Sequence, residues 1–86
     1  MNEVINEKIS VVTIYDREKG SVIPYQIKWQ GKKYTINKIG YYHKVRVGRT
    51  MKHIYSVTDG NMFFRLSLDT ENLFWTLEQI SDGLTN

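Results

Sequence analysis

The chain contains no cysteine and a single proline, Pro24. Without cysteine there is no disulfide framework, no thiolate nucleophile and no thiolate metal ligand. The absence also fits a reducing compartment. No apolar run is long enough to span a bilayer. The opening "MNEVINEKIS" carries two acids and a lysine in its first eight residues, which is not the pattern of a signal peptide. A cytoplasmic protein with no membrane association is therefore the expectation. No segment shows sustained helical spacing, and there is neither an internal repeat nor a low-complexity stretch. A further absence is local: no acidic residue occurs from Lys19 to Thr58.

That acid-free middle holds nine basic residues: Lys19, Lys28, Lys32, Lys33, Lys38, Lys44, Arg46, Arg49 and Lys52. The flanks hold all nine acids against three bases, so the middle carries +9 and the flanks −6. This asymmetry points to a polyanionic partner or an acidic protein face, unless folding interleaves the segments and evens out the field.

Eighty-six residues make one domain, 1–86, with polar ends at 1–7 and 81–86 that are open to fraying. A chain of this length buries about 60 to 65% of the surface its unfolded form exposes. An aromatic share of 13% adds core, because each ring buries a large area at once.

Strand signals dominate. "KISVVTIY" (8–15) is rich in β-branched residues, and "DREKG" (16–20) reads as a turn. In "SVIPYQIKW" (21–29), Ile23, Tyr25, Ile27 and Trp29 alternate with Pro24, Gln26 and Lys28, the period of a half-buried strand. Pro24 belongs at a strand start, an edge or a bulge. A turn within 30–33 is expected to set Trp29 opposite Tyr34 and Ile27 opposite Ile36. Val45 and Val47 alternate with Lys44 and Arg46, and "GRT" (48–50) suits a loop. Asp59-Gly60 is a strong hairpin signal. With it as the central pair, Val57 meets Met62, Tyr55 meets Phe64 and His53 meets Leu66. Pairing Leu68 with Leu73 then sets Leu66 by Trp75 and Phe64 by Leu77. The expected fold is all-β: a single antiparallel meander of six to seven strands, curled into a small barrel or folded sandwich. A short helix within 1–8 or 40–50 remains open.

Trp29, Tyr34, Ile27 and Ile36 share one face of the first hairpin and are expected in the core. Phe63 and Phe74, with Ile54 and Ile80, are expected on the opposite face. There they form an interface patch, or are covered by closure of the sheet. His43 and His53 match no ligand spacing, so no metal site and no cofactor are expected. No nucleophile stands beside a base, and the glycines form no phosphate-cradling loop. Asp16, Glu18, Asp69 and Glu71 fall in turns, where such residues bond nearby backbone N–H groups. An enzyme is not expected.

The basic middle is the principal functional candidate. Lys28, Lys33, Lys44, Arg46, Arg49 and Lys52 are expected to hold phosphates, and Tyr41, Tyr42 or His43 to stack on bases. Basic residues interleaved with rings on a small barrel suit single-stranded or structured nucleic acid. The alternative is a protein–protein adaptor that uses Phe63, Phe74 and Ile80, or an open sheet edge. Either way a monomer or weak dimer is expected.

The spacing of Pro24, Ile27, Trp29, Gly31, Tyr34, Ile36 and Ile39 resembles a family of small bacterial all-β proteins of unknown function. Their genes sometimes lie beside those of Y-family damage-tolerance polymerases. Tyr55, Val57, Gly60, Phe63, Leu66, Asp69, Trp75 and Leu77 are similar to the family's later half, so the likeness covers roughly residues 11 to 82. It implies the fold more than any function; an accessory role, with a protein partner in a nucleic-acid-processing complex, is a separate expectation. The likeness implies no enzyme activity. Family members often carry a tryptophan-rich segment between the two halves, where this chain has "YYHKVRVGRTMK".

Overall fold

A computed structural model describes residues 2–82. They form seven strands and no helix: β1 (Asn2–Asp16), β2 (Ser21–Trp29), β3 (Lys32–Thr35), β4 (Lys38–Val47), β5 (Thr50–Thr58), β6 (Phe63–Asp69) and β7 (Trp75–Ser81). All pairings are antiparallel, in one sheet of order β3-β2-β1-β7-β6-β5-β4. Taken around a circle, this is the order of an up-and-down meander opened between β3 and β4. The sheet is curled but not closed.

The curl comes from β1, which serves two ribbons. Its first half pairs with β7, from Asn2 opposite Ser81 to Ile9 opposite Trp75. Its second half pairs with β2, from Ser10 opposite Lys28 to Asp16 opposite Ser21. The β1-β2-β3 ribbon thereby folds over the β4-to-β7 ribbon, and the core forms between them. Ile27, Trp29 and Ile36 meet Tyr55, Val57, Phe64, Leu66, Leu68, Trp75 and Leu77 there. The rings of Tyr34 and Phe64 lie 5.2 Å apart across the join. Both tryptophans are only 9% exposed, so they are core and not a surface platform. The Trp29 indole N–H donates to Glu7 at 2.9 Å, satisfying its one polar atom.

Several expectations are corrected. Residues 2–7 are neither a frayed end nor a helix. They continue β1, because pairing with β7 lets Ile5 and Ile9 pack on the core. Residues 40–50 are the β4–β5 hairpin. Gly48, at φ +63°, opens a two-residue turn that returns Val47 to Thr50. At the other end Ser81 closes β7, and residues 83–86 lie outside the described chain.

Each expected hairpin register is displaced by two residues. Ile27 faces Tyr34, Tyr55 faces Leu66, and Leu68 faces Trp75. The turns decide this. Gln30 and Gly31 both take positive φ, 51° and 76°, as a tight two-residue hairpin turn requires. The Asp59 carboxylate accepts from the N–H groups of Asn61 and Met62, which makes 59–62 a four-residue loop. Asp69 does the same for Glu71 and Asn72 and holds the β6–β7 loop wider still. Leu73 therefore leaves the core face and is exposed.

Bulges cause the remaining differences. At the β1–β2 shift Tyr25 has no partner, since Val12 faces Gln26 and Thr13 faces Pro24. The extra residue turns Tyr25 outward and buries Pro24, which lacks the N–H a ladder would use. A second bulge leaves Glu78 between two pairs. It turns Ile80 inward to pack on the core.

Candidate functional site

β3 is only four residues long and pairs with Gln26–Trp29. The start of β2 therefore has no strand between it and β4. At the lower end the gap is bridged by backbone bonds, from Ile36 N–H to the Tyr25 carbonyl and from Asn37 N–H to the Thr58 carbonyl. Above them the seam opens into a cleft of about 590 Å³. Lys19 to Ile23 form one wall. Ile39, Tyr42 and Lys44 of β4 form the other, and His53, Tyr55 and Leu68 form the floor. Thr70 and Leu73 of the β6–β7 loop close the end, and no acidic side chain lines it.

Alternation on β4 selects what enters. A bulge at Gly40 separates the pair Ile39–Val57 from Tyr41–Ser56. Beyond it Tyr42 faces Tyr55, Lys44 faces His53 and Arg46 faces Met51. These residues share the concave face. The Tyr42 and His53 rings stack at 5.6 Å and 14°, and tilted ring contacts lead on from Tyr42 to Tyr55 and from Tyr55 to Trp75. A hydrogen bond joins the Tyr42 hydroxyl to His53 Nδ1. The Tyr55 hydroxyl donates to the Val22 carbonyl at 2.5 Å and ties the two ribbons across the cleft floor.

Burial sets the protonation of these groups. It pushes the Tyr55 phenol up to about 12, helped by the neighbouring Tyr42. Burial also raises the Tyr42 phenol. Both tyrosines are neutral at neutral pH and act through their O–H groups and rings. His53 is held below its ordinary value, first by burial and then by the Lys44 charge. The cleft assembles aromatic rings, neutral hydrogen-bonding groups and two lysines.

Of the nine residues expected to contact nucleic acid, Tyr42 and Lys44 line the cleft, and Arg46 follows on the same face. Tyr41 and His43 point to the opposite face, with rings 5.0 Å apart. Lys52 shares that face, opposite Val45, and Arg49 sits in the β4–β5 turn. Lys28 and Lys33 face each other on the outside of the first hairpin. The nine are thus split between two faces; eight lie on β2, β3 or β4 or in the β4–β5 turn, and Lys52 lies on β5, one strand in from the seam. Lys19, His53 and Tyr55 were not among the expected contacts. Only the curl of the sheet brings the β1–β2 turn alongside β4, and no local pattern records that.

Of the two readings of Phe63, Phe74, Ile54 and Ile80, an interface patch or coverage by the fold, the patch does not assemble as four residues. Ile54 is 3% exposed and Ile80 packs on the core. Phe63 and Phe74 are each about half exposed, but they stand at opposite ends of the β6–β7 hairpin. Lys8 lies over the Phe74 ring at 4.2 Å. Among the described residues no cluster of histidine and carboxylate groups could hold a metal ion, and no helix is long and apolar enough to cross a membrane. No family model, no curated protein and no solved structure matches this chain.

Proposed function

We propose that the protein is a small binding module for single-stranded or structured nucleic acid, acting as an accessory factor in the cytoplasm and not as an enzyme. One observation carries this. The strand order puts the basic strands β2, β3, β4 and β5 on the two sides of the seam, and the acid-bearing β1 and β7 opposite it. The seam opens into an acid-free cleft walled by Tyr42 and Lys44. A strand following the seam would meet phosphate-binding cations on both sides and stacking rings between them.

Titration of labelled single-stranded DNA and RNA tests this. With about four phosphates engaged, the log–log salt slope should be roughly −3. Lys44→Glu combined with Arg46→Glu should weaken binding to all sequences alike, because phosphate contacts carry no sequence information. Absence of binding at about 50 mM salt, where a phosphate-driven complex is much tighter than at about 200 mM, would eliminate the proposal. The adaptor alternative retains one support, the edge of β4, which is hydrogen-bonded to a strand only on its β5 side. Capture of an extended peptide without any nucleic-acid binding would favour it.

A further inference from the structure

We infer that the cleft takes one unstacked nucleobase together with its phosphate. This rests on the nucleic-acid reading and names the chemical group recognised at its centre. The volume, about 590 Å³, lies within the range of about 300 to 1,000 Å³ in which small-molecule sites fall. The shape of the lining is more specific than the volume. The Tyr42 and His53 rings are nearly parallel, at 14°, and the partly exposed Tyr42 ring lines the cleft and offers it an aromatic face. A planar heterocycle laid on it extends an existing stack, and Leu68, Ile39 and Val22 complete an apolar slot.

Charge sets which planar ligand fits. Lys19 reaches the mouth from the β1–β2 turn and Lys44 from β4, so two cations stand on opposite walls. An anionic group attached to the ring would lie between them. The edge of the ring would meet backbone. Val22 directs its carbonyl into the cleft, where it accepts from Tyr55. An antiparallel strand sends the N–H and C=O of one residue to the same side, so the Val22 N–H points there too. It is a fixed donor for a base acceptor. Apolar slot, aromatic face, peptide donor and paired cations describe a base carrying a phosphate. The same chemistry could come from a nucleotide flipped out of a strand or from a free nucleotide.

The experiment separates these sources. The first arm compares an intact oligothymidylate with one carrying a central abasic site. The second follows the ring signals of Tyr42 and His53 by NMR as 5′-AMP, adenosine or inorganic phosphate is added. Tyr42→Ala and Tyr42→Trp are carried through both arms. Tyr42 is 42% exposed, so neither change should unfold the domain. The intact strand should bind about 5- to 150-fold more tightly than the abasic one, the range expected for one base–aromatic stack. Tyr42→Ala should erase that difference and Tyr42→Trp should keep it. The nucleotide should shift both rings at concentrations where adenosine and phosphate alone do not.

Equal binding of intact and abasic strands, with the salt slope preserved and no shift by 5′-AMP, would overturn the inference and leave nucleic-acid binding standing. Ring shifts with 5′-AMP but no strand binding would do the reverse and make the cleft a free-nucleotide site. No response in either arm would overturn both.

Discussion

Removing the Tyr55 hydroxyl tests how the two ribbons are held together. In Tyr55→Phe the ring keeps its place against Tyr42 at 4.9 Å and Trp75 at 5.4 Å. Only the bond to the Val22 carbonyl is lost. A hydrogen bond of this kind contributes about 0.5 to 1.5 kcal/mol net. The cleft is open, so water can replace part of the lost contact, and a loss of about 1 kcal/mol is expected. For a domain of this size that lowers Tm by about 4 to 8 °C. Calorimetry on the wild type, Tyr55→Phe and Tyr42→Phe measures it. Alkaline titration adds a second readout. Tyr55 ionises near 12 when folded against an ordinary value of 10.0. A raised phenol value means that its contribution to stability is complete below about pH 10 and is lost as pH rises through about 12. Tyr55→Phe should lack that loss, and the most alkaline tyrosine step should disappear. An unchanged Tm would refute the tie. A loss well beyond 1.5 kcal/mol would mean that the ring had moved and that packing, not the bond, held the ribbons.

Trp75→Ala should cost about 3 to 5 kcal/mol, as for other large buried rings, and denaturant melts should show the variant largely unfolded. Gln30 adopts a left-handed φ of 51° in a two-residue turn followed by Gly31. Gln30→Asn creates the preferred Asn-Gly pair, so the urea midpoint should rise, by about 0.5 kcal/mol of stability or more. His53 is depressed by burial and by Lys44. The neutral form therefore favours the folded state. The stability it contributes is complete above its ordinary value near 6.5 and falls as pH drops below that toward the folded value. Lys44→Gln should move the His53 NMR titration midpoint upward, and an unmoved midpoint would leave burial as the sole cause.

The sequence was legible in parity and illegible in register. Alternation in "SVIPYQIKW" and "NMFFRLSL" places Ile27, Trp29, Phe64 and Leu66 inside, and they are inside. A slip of two residues leaves that pattern unchanged, so alternation cannot detect it. All three hairpins slipped by that amount because turn chemistry, not strand pattern, fixes the register. Gln30 accepts a positive φ that its side chain does not advertise. Asp59 and Asp69 hold their loops through carboxylate bonds to backbone N–H groups, and a bare Asp-Gly or Asp-Thr does not announce how wide those loops become. Where a bulge intervened, even parity failed, as at Tyr25 and Ile80. The candidate site was legible in its residue types but not in its assembly. Tyr42 and Lys44 come from one strand and could be paired by alternation. Their partner Lys19 arrives through the curl, which depends on β1 changing neighbours at Ser10.

The pairing of β1 with β7 has a consequence for how the chain reaches this state. β4 to β7 are joined by short hairpins, and so are β1 to β3. Those contacts are near in sequence and can form quickly. The bonds from Asn2 to Ser81 and from Ile9 to Trp75 span most of the chain. Their loop-closure entropy must be met before the core between the ribbons rewards it. On a ribosome, β1 has no lasting partner on its β7 side until β7 has emerged. Until then two ribbons hold their apolar faces and strand edges open, the condition in which β proteins are most prone to pair with neighbouring chains. The residues that seal this junction are therefore placed to govern folding yield more than the charge or shape of the finished cleft.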